Sequence, residues 1–95
     1  MKLLSVVKSQ RAGKKYDAVF ESDTGRTKRV SFGAAGMDDF TKTGDEERKR
    51  LYLIRHRANE NWDKPDTPGA LSRWLLWNKP TLEESIKDFR RRFKI

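Results

Sequence analysis

The chain has 95 residues, 22 of them Lys or Arg against 14 Asp or Glu, giving a formal charge of +8 and a pI of about 10.1. That length suits one domain, which removes only about 60–65% of its unfolded surface from water and so holds one core and little else. The lack of cysteine excludes disulfides and thiolate metal sites, and the basic excess points to an anionic partner without identifying it.

Met1–Lys8 is too short for a signal-peptide core or a membrane span and reads as a strand, with Leu4 and Val6 alternating against Ser5 and Val7. A polar break follows at Ser9–Lys14. Tyr16, Ala18 and Phe20 then share one face, with Asp17, Val19 and Glu21 on the other. Asp23-Thr24-Gly25 supplies turn chemistry, and Val30 and Phe32 resume the alternation. Three antiparallel strands in a meander are expected.

Phe32-Gly33-Ala34-Ala35-Gly36-Met37 marks the change to helix, with the glycine loop read as a tight turn rather than a phosphate-binding loop. Thr43 is the expected cap and Glu46 its capping-box partner for a helix from about Asp45 to Asn59. Leu51, Ile54 and Ala58 form its expected inner stripe; Lys49, Tyr52 and His56 lie opposite, with Tyr52 expected to pack under a neighbouring loop. Asn61–Asp66 reads as a loop. Thr67 and Pro68 open a short helix through about Trp77 that carries Leu71, Trp74 and Leu75 inward. Asn78-Lys79-Pro80 stops it, Thr81 and Glu84 repeat the capping box, and Leu82, Ile86, Phe89 and Phe93 line one face of a final helix. The expected architecture is a single α+β domain over 1–95, a short antiparallel sheet packed against three helices.

The last helix is the first candidate for function. Lys87, Arg90, Arg91 and Lys94 fall on one stripe away from its apolar face, with Arg92 beside them. A helix dipole also welcomes cations there, so the cluster has a bland explanation too. Residues 1–36 carry eight cations and three carboxylates, a net +5; residues 37–60 balance at six each; residues 61–95 carry eight against five, a net +3. Lys14, Lys15, Lys28 and Arg29 are therefore expected to support the last helix, provided both ends of the chain meet. Trp62, Trp74 and Trp77 are candidate stacking platforms, with burial the stronger expectation for Trp74. Asp38, Asp39 and Asp45 lack EF-hand spacing, and one histidine, His56, makes no histidine-rich metal site. No catalytic residue, metal or cofactor is assigned.

Val30–Thr41, Asp45, Arg48-Lys49, Tyr52, Arg55-His56, Glu60-Asn61-Trp62, the run Thr67-Pro68-Gly69-Ala70-Leu71-Ser72-Arg73-Trp74-Leu75-Leu76-Trp77-Asn78-Lys79-Pro80-Thr81 and the basic, aromatic C-terminus together resemble a family of small basic proteins encoded by large nucleocytoplasmic DNA viruses of algae and amoebae. The resemblance covers roughly residues 15–95, leaves the first strand out and is most specific in Leu71–Thr81. It implies a viral origin and an intracellular or virion setting, and carries over no active site.

The leading expectation is non-enzymatic, sequence-tolerant binding of DNA or RNA through phosphate contacts, with no membrane association. A minor structural or interaction component of a virus particle is the alternative, with other virion proteins as partners and Trp62, Trp77 or Phe40 marking the contact. A metal-dependent nuclease using His56 is the third.

Overall fold

The computed structural model describes all residues, Met1–Ile95. Strands β1 (Lys2–Lys8), β2 (Lys14–Glu21) and β3 (Thr27–Ala34) form an antiparallel meander in the order β1-β2-β3. Helices α1 (Phe40–Thr43), α2 (Glu46–Arg57), α3 (Pro68–Leu71) and α4 (Leu82–Phe93) follow, and α3 runs on into a π-turn at Ser72–Leu76. The architecture is α+β, with α1 added to the expected helices.

Period-two alternation decides the sheet's packed face. Tyr16 stands opposite Phe32 and Ala18 opposite Val30, and Phe20 shares that side. Those side chains meet Leu71, Leu75, Leu76 and Phe89 from the helices in one buried cluster. Burying each large apolar side chain contributes about 1.5–3 kcal/mol. In β1 the buried residue is Leu3, and Leu4 is exposed, the reverse of the simple alternation. A bulge between Leu3 and Ser5 inserts one residue, so Leu3 faces Phe20 and Val6 faces Ala18. One extra residue resets which side chains point inward.

Helix α2 turns a different face to the protein from the one its aliphatic spacing predicts. Leu51 is 47% exposed and Ile54 61% exposed, while Tyr52 is buried. The Tyr52 ring stacks on Trp77 at 4.4 Å, and Lys49 Nζ donates to the Asn78 carbonyl at 2.7 Å. A flat aromatic partner and a buried carbonyl thus outbid two aliphatic side chains for the docked face. Its cap is Asp45, whose carboxylate accepts from Glu47 N and Arg48 N. Thr43 is already the last residue of α1, with left-handed Gly44 between them.

The π-turn is closed by Trp77 N–H donating to the Ser72 carbonyl at 3.1 Å. Arg73 Nη1 donates to the Trp77 carbonyl at 3.0 Å, and its guanidinium lies 4.1 Å from the Trp74 ring centre, so this cation holds the turn. Thr81 caps α4 by accepting from Glu84 N. At the far end, Leu3 N donates to the Ile95 carbonyl and Arg90 Nη2 donates to the Leu3 carbonyl, both at 3.2 Å. The end of the chain therefore covers part of the β1 edge, which would otherwise offer unpaired backbone groups. No helix is long and apolar enough to cross a membrane.

Candidate nucleic-acid interface

The two bonds at Leu3 bring the last turn of α4 against the start of β1. Lys2 stands one residue from that contact, and Arg90, Arg91 and Lys94 follow on the helix. None of these four is within ion-pairing distance of a carboxylate. Glu21 is Lys2's neighbour across the β1–β2 ladder but makes no bond to it. Lys87 lies on the same outward side, 3.9 Å from Glu83 with both side chains well exposed. Such a surface pair is worth about 0–1 kcal/mol and yields readily to a phosphate. Arg92 is different: it reaches Asp88 at 3.5 Å and lies 3.9 Å from the Trp74 ring centre, which commits it to packing.

The N-terminal cations do not join this group as the charge count led one to expect. Lys15 is buried in an ion pair with Asp39, their side chains 9% and 2% exposed. Lys28 pairs with Asp66 at 3.0 Å and Arg29 with Asp17 at 3.1 Å. These partners lie 24, 38 and 12 residues away, so no local pattern reveals them. Lys14 is exposed and unpaired but stands opposite Ala34, whereas Lys2 stands opposite Glu21. Those positions are seven residues apart along β2, about 23 Å. Lys14 and Lys15 therefore stand at the far end of the sheet from Lys2, whereas Lys28 and Arg29, opposite Phe20 and Val19, stand toward Lys2's end. Lys2, counted from the sequence only toward net charge, is the residue that joins.

The aromatic candidates are occupied. Trp74 Nε1 donates to the Trp62 carbonyl at 2.9 Å, Trp62 Nε1 to Glu60 at 2.8 Å, and Trp77 is stacked on Tyr52. All three indoles are half-buried and Phe40 is buried. The exposed apolar side chains near them are instead Met37, Leu51 and Ile54. His56 stacks on Tyr52 at 4.3 Å with Nδ1 3.4 Å from Glu60. Asp38 pairs with Arg48, Asp39 caps α1 and Asp45 caps α2, and no three His, Asp or Glu side chains gather as a metal cluster.

Asp17 carries the clearest pH dependence. The Ser31 hydroxyl, donating at 2.6 Å, and then other donors including Arg29 hold its carboxyl below the usual range. A depressed folded-state pKa contributes stability that is present above the unfolded value of about 3.9 and is lost as pH falls through the folded one. In urea unfolding followed from pH 6 to pH 2, Asp17→Asn is therefore expected to lose less stability on acidification than the natural chain. Parallel losses in both proteins would contradict this.

A family model described as Family of unknown function (DUF5754) matches residues 4–56, more than half of the chain. The matched stretch runs from β1 to the last turn of α2; the Leu71–Thr81 run and α4 lie beyond it. No curated protein and no solved structure matches.

Proposed function

Given that the chain belongs to the DUF5754 family, whose function is unknown, we propose from its own surface that it binds nucleic acid without catalysis, through the phosphate backbone. The observation that carries this reading is the meeting of Lys2, Arg90, Arg91 and Lys94 at the corner where α4 ends on β1. All four are exposed, so they meet a polyanion without first breaking an ion pair. Exposed cations that contact phosphates alone read no base edges, so binding is sequence-tolerant. Each neutralised phosphate releases a counterion, which makes affinity fall steeply with salt.

The test replaces the corner, Lys2→Gln, Arg90→Gln, Arg91→Gln and Lys94→Asn together, Asn being chosen because position 94 has φ +57°; because Arg90 also donates to the Leu3 carbonyl, the fold is checked by circular dichroism and urea unfolding. Affinity for unrelated duplexes should fall at least about tenfold at low salt, and the salt slope should shrink by about 0.9 per lost contact. Unchanged affinity in a folded variant would overturn the assignment.

A second reading, a structural component of a virus particle, is favoured by one observation: Met37, Leu51 and Ile54 leave apolar surface uncovered beside α2. The resemblance to proteins of large DNA viruses supports that setting. Under it, the corner substitutions leave partner binding intact.

A further inference from the structure

A cavity of about 470 Å³ opens at the other end of the sheet, between the β1–β2 hairpin, the docked side of α2 and the start of α3. Its far wall exists because of the π-turn. Closing the turn from Trp77 N–H to the Ser72 carbonyl brings Trp77 back over Ser72; an α-turn would leave residue i+5 about 140° away. Ser72, Leu76 and Trp77 consequently line one wall together. Gly13, Gly33 and Gly69 line other parts; Gly13 leaves its backbone open, whereas Gly33 is packed against Leu76 and Lys15 and Gly69 against Glu60.

Charge decides what the cavity can accept. Of its three carboxylates, Asp39 is buried against Lys15 and Thr41, Glu60 accepts from Trp62 Nε1 with His56 Nδ1 3.4 Å away, and Asp38 makes an exposed 3.5 Å pair with Arg48. Lys14 and Arg55 line the same cavity, are exposed and have no carboxylate partner. The Ser72 hydroxyl makes no hydrogen bond to the protein either. The vacant polar groups are thus two cations and a hydroxyl, beside accessible apolar lining from Met37, Pro68 and the half-buried Trp77. This combination suits a ligand with a flat apolar body and an anionic end, and the volume lies within the roughly 300–1,000 Å³ of small-molecule sites.

We propose that this cavity binds a nucleoside monophosphate, free or as one unit of a single strand. Lys14 and Arg55 hold the phosphate, and the base packs against Met37 and the part of Trp77 that its stacking on Tyr52 leaves uncovered. The site lies apart from the α4 corner and does not rest on it.

Adenosine 5′-monophosphate titrated into the full chain, followed by amide NMR, tests it. Shifts are expected at Gly13, Gly33, Gly69 and Ser72, with tighter binding than for adenosine or inorganic phosphate alone. Lys14→Gln with Arg55→Gln, both surface changes, should weaken binding at least about tenfold, while the quadruple corner variant should bind the mononucleotide as the natural chain does. A single-stranded oligonucleotide that shifts the same amides more tightly identifies a strand-borne unit; one that leaves them unmoved while the mononucleotide binds identifies a free ligand. Absence of those shifts, phosphate binding as tightly as the nucleotide, or undiminished binding by the double variant overturns the proposal. Loss of mononucleotide binding with duplex binding retained would remove this site alone, and the reverse would remove the α4 corner alone.

Discussion

Phe89→Ala should remove about 3–5 kcal/mol of stability, measured by urea unfolding. Phe89 is fully buried, contacts Phe93 at 5.0 Å between ring centres, and is the α4 residue in the buried core cluster with Phe20, Phe32 and Leu75. Truncating it leaves a cavity beneath the helix that carries Arg90, Arg91 and Lys94. For a domain whose whole stability is on the order of 5–15 kcal/mol, that loss is a large fraction of the free energy holding α4 and its cations against β1. Leu51→Ala and Ile54→Ala, by contrast, should each stay within about 0.5 kcal/mol, because their side chains already face water. An equal loss at Leu51 and Phe89 would mean that α2 docks by its aliphatic stripe after all.

Asp39→Ala is expected to cost about 3–5 kcal/mol by the same measurement, because it leaves the Lys15 ammonium buried without a counter-charge. It also strips α1 of the carboxylate that accepts from Thr41 N. Lys15→Met should cost less: the carboxylate left behind still accepts from the Thr41 backbone and hydroxyl, and the methionine fills the apolar length of the lost side chain. The order of the two losses is the informative result. If Lys15→Met proves the costlier change, the pair is held together by lysine packing rather than by its charges.

The sheet was legible because strand alternation is a local signal: Tyr16, Ala18 and Phe20 announce a face, and Gly25 announces a turn. The caps at Thr67 and Thr81 were legible for the same reason. What could not be read was whatever a distant partner decides. The bulge after Leu3 shows only in register with β2, and Tyr52 wins the inner side of α2 only because Trp77 arrives from another helix. The α4 cations were legible as a stripe, and most remain available. Lys15, Lys28 and Arg29 looked equally free in the sequence, yet Lys15 is buried against Asp39, and Lys28 and Arg29, though still more than half exposed, are each paired with a distant carboxylate. Charge counts locate cations, whereas tertiary pairing decides which of them a ligand can use. The cavity left no sequence signal, since Gly13, Arg55 and Ser72 meet only in the folded chain.

The most direct measurement is the affinity of the natural chain for an arbitrary DNA duplex between 50 and 200 mM salt. Four phosphate contacts from Lys2, Arg90, Arg91 and Lys94 predict that log K falls linearly with log salt with a slope of about −3 to −4, alike for unrelated sequences. No binding at the lowest salt, or an affinity indifferent to salt, would contradict the phosphate-binding corner.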